Sequence, residues 1–366
     1  MIRSILVTGC GGPAGVNVIK AFRQTDISLK IYGLDNNALH LAHVKNLVDK
    51  AFYAPMKHDE KYINFLNKII TLFNIDLIIP QPDPEVKFLS DHRDELNTAL
   101  FLPSKETIDI CQDKGLTARI WNEHHISNVK SKIIRKRILC THNDIEDAAK
   151  EFGGFPIWIR ASKGAGGRAS SKILNVDQGY HWCNYWWMRD EDIEFIAQPF
   201  LSGKNYAVST LWLHGDCVAV QARERLEYIY PNLAPSGVTG TPAFAKTVCI
   251  PKLECRAIES IIAIDKDPHG LFSVDLMEQD GEYIPTEINA GRFFTTSLFF
   301  TTAAILYKMP RFNFHQMILK YYDNDKFTHQ TLNEYLPNNL YWVRHIDCGE
   351  KLLTQDEMDK LYEVIP

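Results

Sequence analysis

Residues 272–292, FSVDLMEQDGEYIPTEINAGR, decide the fold of this chain. Two runs of strand-forming residues flank a turn that contains glycine, and this pattern predicts an antiparallel hairpin. Side chains alternate along a strand, so Glu287 and Asn289 project from the same face. A carboxylate and an amide oxygen two residues apart suit a hard cation such as magnesium. Arg292 follows a glycine and could meet a phosphate with its planar fork of donors.

The register of this hairpin decides whether Asp275 lies on the same face. A two-residue turn at 280–281 would turn Asp275 to the opposite face. A three-residue turn at 279–281, with its last residue left-handed, would bring Asp275 together with Glu287 and Asn289. We favour the three-residue turn, since it places three oxygen ligands around one point. An ordinary hairpin with solvated acids is the alternative.

The overall composition is that of a globular protein large enough for two or three packed domains. The chain has 366 residues, of which 45% are hydrophobic and 23% are charged. Its net charge of −5 argues against a general nucleic-acid binder. The basic cluster at 130–137 fits a solvent-exposed face of the protein at least as well as a nucleic-acid binding site. No apolar run is long enough to span a bilayer, so we expect neither a nucleic-acid nor a membrane partner.

The eight cysteines are scattered, without the spacing of a disulfide framework or a zinc site. This usage predicts reduced thiols in a cytosolic protein. The N-terminus passes from a short strand into a glycine-rich turn, which is not the pattern of a signal peptide. We therefore expect a cytoplasmic protein, for which a homodimer is allowed.

The N-terminal segment has the pattern of a strand, a glycine-rich turn and a helix, followed by a second strand. Gly9, Gly11 and Ala14 fit the dinucleotide pattern G-x-G-x-x-A, and Asp35 ends the second strand where a ribose-binding acid could lie. The alternative is that the glycines only permit a tight turn and close helix packing. This pattern therefore predicts the fold more strongly than the ligand.

Acidic residues follow the strand predicted at 76–79. Asp83 or Glu85 could hold a substrate amine, because ligands of open parallel sheets bind at the carboxyl ends of strands. Alternatively, Asp83 is a helix N-cap and Glu85 lies near the helix dipole. Further along, we expect Ser104 to cap a helix that carries residues 113–114.

A strand predicted at 155–160 ends in Arg160 and leads into the glycine-rich loop 161–168. Such a loop can lay backbone N–H groups over phosphates, while Arg160 and Lys163 supply positive charge. The loop lacks the spacing of a P-loop. A flexible surface hairpin is the alternative.

These segments, in this order, resemble the ATP-grasp superfamily. They are most similar to single-unit relatives of the carbamoyl-phosphate synthase large subunit. The resemblance runs from about residue 5 to about residue 301. It rests on the Asp113-Lys114 pair, on the strand ending in Arg160 with its glycine loop, and on the Glu287-x-Asn289 element.

The resemblance implies roles for particular residues. It implies nucleotide binding by Lys114, Arg160, Lys163, Gly166, Gly167, Gln198, Phe200, Leu201 and Asn205. It implies magnesium binding by Asp275, Glu287 and Asn289, and stabilisation of the transferring phosphoryl group by Arg160 and Arg292. Contacts to the substrates are expected from loops, with Asp83, Glu85, Arg223, Gly237 and Thr239 as candidates.

Two positions depart from the family pattern. Relatives usually carry Glu where this chain has Gln198, and they usually carry Glu in the ribose-binding position where this chain has Asn205. Asn205 can still hydrogen-bond a hydroxyl, although less strongly than a carboxylate. The choice of ATP over another nucleotide is therefore less firmly implied than the fold.

The implied architecture combines α/β and α+β parts. A Rossmann-like domain at 1–112 precedes an ATP-grasp fold, whose N-terminal subdomain with its lid spans 113–200. The C-terminal subdomain, with the metal site, spans 201–325, and a C-terminal extension spans 326–366.

The function implied is that of an ATP- and magnesium-dependent ligase. Members of the family activate a carboxylate as an acyl phosphate, which an amine then attacks. A competing hypothesis is an NAD-binding oxidoreductase, which leaves Arg160 and the 272–292 hairpin unexplained. Two further hypotheses are a phosphotransferase and a nucleotide-binding protein without ligase activity. The sequence does not identify the acid or the amine.

Overall fold

A computed structural model describes residues 2–25, 27–57, 61–136, 141–164, 167, 169–190, 192–233, 237, 241–323, 334–345 and 349–361. Three β-sheets organise these residues. The first is parallel and the other two are antiparallel. The mixed architecture predicted from the sequence is thus confirmed. No helix in the described residues is long and apolar enough to cross a membrane.

The first sheet has the strand order β3-β2-β1-β4-β5. Its central strand β1 is buried along its whole length and pairs with β2 and β4. Helices on both faces bury apolar side chains against it, as a parallel sheet requires. The elements are β1 (Ser4–Thr8), α1 (Pro13–Arg23), β2 (Lys30–Asp35), α2 (Ala38–Val44), β3 (Lys50–Tyr53), α3 (Tyr62–Phe73), β4 (Leu77–Ile79), α4 (Asp83–Asp91) and β5 (Ala99–Leu100).

Two short helices, α5 (Lys105–Gln112) and α6 (Lys114–Glu123), connect the first sheet to the second. The hydroxyl of Ser104 accepts the N–H of Thr107 and caps α5, as predicted. The predicted helix does not continue through Lys114, however. Asp113 is extended, with φ −108° and ψ 99°, and its carboxylate accepts the N–H of Leu116 as the N-cap of α6. Lys114 is therefore the first residue of a new helix.

The second sheet has the order β6-β9-β7-β8. Helices α7 and α8 cover one of its faces, and a cluster around Ile159, Trp187 and Phe195 forms the core between them. The aromatic tract at 181–187 lies on α8, where Trp182 and Trp186 pack edge to face. The elements are β6 (Lys132–Ile134), α7 (Thr141–Glu151), β7 (Ile157–Ala161), β8 (Ser171–Ile173), α8 (Val176–Trp187) and β9 (Phe195–Pro199).

The third sheet has seven strands in the order β14-β13-β10-β11-β12-β15-β16. The segment predicted as a C-terminal extension supplies the last two strands at one side of the sheet, β15 and β16. A capping box of Thr354 and Glu357 begins α12. The elements are β10 (Asn205–Leu213), β11 (Asp216–Tyr228), β12 (Pro242–Thr247), α9 (Pro251–Ile262), β13 (Gly270–Gln279), β14 (Glu282–Ala290), α10 (Ser297–Leu306), α11 (Phe314–Tyr322), β15 (Tyr341–His345), β16 (Gly349–Leu353) and α12 (Gln355–Leu361).

Candidate active site

A cavity of about 600 Å³ lies where the three sheets meet. The glycine-rich turn after β1 and the start of α4 form one wall. Strands β7 and β9 form a second wall, and β10, β11, β13 and β14 form a third. Apolar side chains line part of the cavity, and arginines and carboxylates line another part. The apolar lining is formed by Val129, Trp158, Phe200, Leu201, Met277 and Ile284.

The turn between β13 and β14 differs from the three-residue turn that we favoured from the sequence. Gln279 pairs with Glu282, so the turn contains two residues. Asp280 and Gly281 both have positive φ, at 54° and 79°, and such a pair is typical of a type I′ hairpin. The prediction of the turn was wrong, and this turn alone would have placed Asp275 on the opposite face.

A β-bulge restores Asp275 to the predicted face. Leu276 pairs with Pro285, but Asp275 pairs with Glu287, so Thr286 is an extra residue in β14. One extra residue reverses the side-chain alternation beyond it. Asp275 and Glu287 consequently lie directly opposite each other and both line the cavity.

The bulge residue contacts the second sheet. The carbonyl of Thr286 accepts a hydrogen bond from Nη2 of Arg160 at 2.6 Å, and the Thr286 hydroxyl donates to the carbonyl of Asp275. Arg160 Nη2 also donates to Oε1 of Gln198 at 3.0 Å, and its Nη1 lies 3.6 Å from Oε2 of Glu287. Burial lowers the pKa of Arg160, and the carboxylate of Glu287 opposes this effect.

A second cation, Lys114, approaches the same carboxylate. Lys114 Nζ lies 3.6 Å from Oε1 of Glu287 and donates to the carbonyl of Gly164 at 2.5 Å. Glu287 is therefore flanked by Lys114 and Arg160, one on each carboxylate oxygen.

The glycine-rich loop is described only in part. Gly167 lines the cavity, whereas Gly166 lies outside the described residues. Lys163 does not line the cavity: its side chain is 75% exposed, and its Nζ lies 3.5 Å from Oδ2 of Asp113. A β-bridge between Asp113 and Lys163 holds the two residues side by side. The phosphate contact of Lys163 stays a prediction.

Arg292 lies at the end of β14 and contacts two groups. Its Nη2 donates to Oδ1 of Asn289 at 2.7 Å and to Oδ2 of Asp83 at 3.0 Å, and its Nε donates to Oδ1 of Asp83. These contacts with Asp83 raise the pKa of Arg292 above its usual value, although burial acts in the opposite direction. Arg292 and Asn289 are therefore direct neighbours in the cavity.

Asp83 and Glu85 differ from their interpretation from the sequence. Pro82 is the N-cap of α4 and Asp83 its first residue, so Asp83 is not the cap. Asp83 lines the cavity but is paired with Arg292. Glu85 does not line the cavity: its Oε1 accepts the hydroxyl hydrogen of Tyr62, and burial raises its pKa. A substrate contact by Glu85 is not supported, because the turn of α4 carries it away from the cavity.

Two arginines on β11 line the cavity from the third sheet. Arg223 and Arg225 lie in a strand, not in a loop as predicted. Arg225 Nη2 pairs with Oδ1 of Asp275 at 2.7 Å, and its Nη1 donates to Oδ1 of Asn205 at 2.9 Å. Arg225 was missed as a site residue, although alternation along the strand places it on the same face as Arg223.

The remaining predicted substrate residues precede β12 in the sequence. Gly237 does not line the cavity, and Thr239 lies outside the described residues. The predicted nucleotide-binding residues Gln198, Phe200 and Leu201 all line it. Phe200 lies 6.2 Å from Trp158 between ring centroids, which provides aromatic surface next to β9.

The oxygen atoms of the third sheet fit a hard cation. Among the described residues no group of three or more His, Cys, Asp or Glu side chains is arranged to hold a metal. The predicted set contains only two acids, Asp275 and Glu287, with the amide of Asn289. Magnesium commonly takes one or two carboxylates and completes its coordination with waters and substrate phosphates, so this donor set fits it.

The glycine-rich turn after β1 is stabilised internally. The carboxylate of Asp35 accepts the N–H of Gly11 at 3.0 Å and that of Asn37 at 2.9 Å. Asp35 is buried, and its oxygens also lie 3.3 Å from Nδ1 of His40. The acid that could have bound a ribose instead holds the turn, which favours the structural interpretation of these glycines over the NAD-binding one.

This arrangement of a parallel domain and two antiparallel sheets around one charged cavity is the ATP-grasp fold, as the sequence predicted. Residues 5–100 match the family model described as "PylC-like, N-terminal domain". No curated protein matches the chain significantly.

Solved structures with the same fold are similar along almost the whole chain. One is the biotin carboxylase domain of 2-oxoglutarate carboxylase from Hydrogenobacter thermophilus, a dimer in complex with MgADP, ADP and bicarbonate (TM-score 0.68, 14% identity, 93% of this chain and 74% of that chain). A second is an L-amino acid ligase from Bacillus licheniformis (TM-score 0.67, 13% identity, 93% of this chain and 79% of that chain). A third is N5-carboxyaminoimidazole synthetase from Staphylococcus aureus in complex with ADP (TM-score 0.66, 15% identity, 94% of this chain and 82% of that chain).

Proposed function

We propose that the protein is an ATP- and magnesium-dependent ligase that activates a carboxylate as an acyl phosphate and joins it to an amine. The observation that carries this proposal is the pairing of Asp275 with Glu287 inside a cavity that also contains Lys114, Arg160 and Arg292. Opposed carboxylates surrounded by cations suit a magnesium nucleotide, in which phosphate charge must be both coordinated and neutralised.

Each part of the nucleotide would contact a different set of residues in the cavity. Its base would lie against the apolar lining that includes Phe200, Leu201, Met277 and Ile284, and Asn205 would receive a ribose hydroxyl. Its phosphates would meet Lys114 and the other cations near Glu287. Two of the solved structures of similar fold are complexes with MgADP or ADP, which supports an adenine nucleotide as the ligand.

The proposed reaction has two steps. In the first, a carboxylate oxygen of the substrate attacks the γ-phosphorus of ATP, and the bond from that phosphorus to the bridging oxygen breaks to release ADP. In the second, the amine nitrogen attacks the acyl carbon, the bond from that carbon to the phosphate oxygen breaks, and the nitrogen loses a proton to solvent. Both steps require positive charge around the phosphoryl group more than a protein nucleophile.

The residues of the chain supply that charge in fixed positions. Arg160 is held by Gln198 and by the carbonyl of Thr286, and Arg292 is held by Asp83. Donors fixed in this way need little reorganisation as charge develops on the transferring group. When bound at Asp275, Glu287 and Asn289, magnesium would add further neutralisation of phosphate charge. The loop that contains Gly164 and Gly167 would limit access of water to the acyl phosphate.

The proposed context follows from the same observations. The substrates are a small-molecule acid and an amine, without nucleic acid or membrane as a partner. A cytoplasmic location is supported by the free thiols of the six described cysteines. A homodimer is supported by the dimer named for the Hydrogenobacter domain. We propose domain boundaries at 112/113, 200/201 and 325/326, and the N-cap at Asp113 supports the first.

The test is ADP release from ATP and magnesium with a panel of amino acids and other carboxylates, each with and without amines. The proposal expects ADP release that requires an acid, and a product whose mass equals acid plus amine minus water. A phosphorylated acid as the final product would instead indicate a phosphotransferase. A thermal shift with NAD, combined with none from any nucleoside triphosphate and magnesium, would overturn the proposal.

A further inference from the structure

One row of residues crosses the third sheet through the carboxylates of the site. Arg223 pairs with Ala207, Ala207 pairs with Asp275, and Asp275 pairs with Glu287. Neighbouring strands lie about 4.8 Å apart, so the Cα atoms of Arg223 and Asp275 are separated by about 10 Å. Arg223 therefore stands beside the proposed position of the transferring phosphate, on the side away from Glu287.

The guanidinium of Arg223 is almost completely buried, with 1% of the residue exposed, and it lines the cavity. Its described hydrogen bond is a weak one from Nη1 to Oγ of Ser209, at 3.4 Å. Its Nε is buried without a hydrogen-bond partner among the described residues. The ring of Phe294 covers one face of the guanidinium, with the central carbon 4.2 Å from the ring centroid. The N–H groups of Arg223 that lack a partner among the described residues therefore point outward in the plane of the guanidinium.

The other arginines of the cavity have carboxylate partners. Arg225 pairs with Asp275, Arg292 pairs with Asp83, and Arg160 lies near Glu287. No described carboxylate lies within ion-pair distance of Arg223. Burial and the charge of Arg225 lower the pKa of Arg223, and Asp275 opposes this only in part. A buried charge without a partner is costly, so this site favours an anion from outside the chain.

We propose that Arg223 binds the carboxylate of the acid substrate, the group that is phosphorylated, through the free edge of its guanidinium. This inference rests on the proposed ligase function and adds the residue that selects an acid. A planar carboxylate matches the fork of an arginine. Phe294 prevents approach to one face of the guanidinium and thereby directs the carboxylate into the guanidinium plane.

The experiment uses the full chain saturated with MgADP and titrated with acetate as the carboxylate probe, at constant ionic strength. Melting temperature reports the binding of acetate, because a ligand of the native state raises it. The variants are Arg223→Met, which removes the donors, and Arg223→Lys, which keeps only the charge. The matched control is Arg119→Met, an exposed arginine on α6 that pairs with Glu123. Acetamide, which has a similar shape without the charge, controls for non-specific effects.

We expect acetate to stabilise the wild type and Arg119→Met, and acetamide to stabilise neither. Arg223→Met should bind acetate about 10- to 100-fold more weakly, which corresponds to the loss of hydrogen bonds to a charged group. Arg223→Lys should be intermediate. An Arg223→Met protein that binds MgADP and responds to acetate like the wild type would overturn the inference, as would a wild type without any acetate response.

The MgADP titration separates this inference from the proposed function. If the wild type does not bind MgADP, the ligase proposal fails. If MgADP binds with equal affinity to the wild type and to Arg223→Lys, and acetate affinity falls in Arg223→Lys alone, both proposals are supported. This comparison remains available if Arg223→Met does not fold, because Arg223→Lys keeps the buried positive charge.

Discussion

The guanidinium of Arg292 forms a two-point ion pair with the carboxylate of Asp83, which is 209 residues away in the sequence. The pair joins the end of β14 to the first turn of α4. It therefore fixes the position of the third sheet relative to the parallel domain, at the edge of the cavity.

We expect Asp83→Asn to destabilise the protein by about 2–4 kcal/mol and to lower turnover. The variant leaves the largely buried Arg292 without its charge partner, and breaking such a pair is strongly destabilising. Urea denaturation and ADP release measure the two effects. The control is Asp147→Asn, whose exposed pair with Lys132 should contribute less than about 1 kcal/mol. Equal stability of Asp83→Asn and the control would contradict the role given to this pair.

Glu287→Gln should abolish turnover and preserve the fold. The amide keeps the shape of the side chain but loses the charge that lies between Lys114, Arg160 and the proposed metal. ADP release at saturating magnesium measures turnover. Glu282→Gln, at the other end of the same strand and paired with Lys252 at the surface, should keep full activity. Turnover of Glu287→Gln close to that of the wild type would refute the metal assignment.

Asp275→Asn tests the bulge. Because the bulge at Thr286 places Asp275 opposite Glu287, we expect this variant to lose most of its turnover as well. Without the bulge, the two-residue turn would direct Asp275 away and the variant would be nearly normal. Asp280→Asn in the turn is the control, since asparagine tolerates its left-handed conformation. The comparison uses steady-state ADP release.

Arg160→Ala should weaken binding of MgATP and leave the secondary structure intact. The variant removes a cation from the proposed phosphate site and leaves the carbonyl of Thr286 without its donor. Calorimetric titration measures the affinity, and far-ultraviolet circular dichroism checks the fold. The exposed Arg119→Ala should bind like the wild type. Wild-type affinity in Arg160→Ala would show that Arg160 does not contact the phosphates.

Glu254→Gln should stabilise the protein more at pH 8 than at pH 5. Burial on α9 raises the pKa of Glu254 to about 7 from its ordinary value of 4.5. The folded state therefore favours the protonated acid, and the stability contributed by that proton is lost as pH rises from about 4.5 through 7. The variant removes this loss, with a gain of about 1–3 kcal/mol at pH 8. Chemical denaturation at pH 5 and pH 8 measures the free energy of unfolding of the variant and the wild type. An equal gain in stability at both pH values would contradict the prediction.

The sequence predicted the hairpin and its shared face of ligands, but for an incorrect reason. Alternation and the Asp280-Gly281 pair are local signals, and they correctly locate the strands and the turn. The bulge residue Thr286 accepts a hydrogen bond from Arg160, 126 residues away. Such a contact leaves no periodic pattern in the sequence, so the register could not be read from the hairpin itself.

Long-range ion pairs explain the other differences. Asp83 has the sequence context of a helix start, and only the folded chain brings it to Arg292. Arg225 was overlooked because its partners Asn205 and Asp275 lie on a neighbouring strand and beyond it. Elements with strong local patterns, such as β1 and the capped start of α5, were predicted correctly.

The cavity is built from all three sheets, and this affects how the protein unfolds. A molecule that touches the glycine-rich turn, β9 and β13 at once acts as a non-covalent cross-link between segments far apart in the sequence. The second sheet has its own hydrophobic core, whereas one core joins the first sheet to the third. We therefore expect the second sheet to separate before the rest of the free protein melts. An occupied cavity opposes that separation, and calorimetric unfolding should become a single, more cooperative transition.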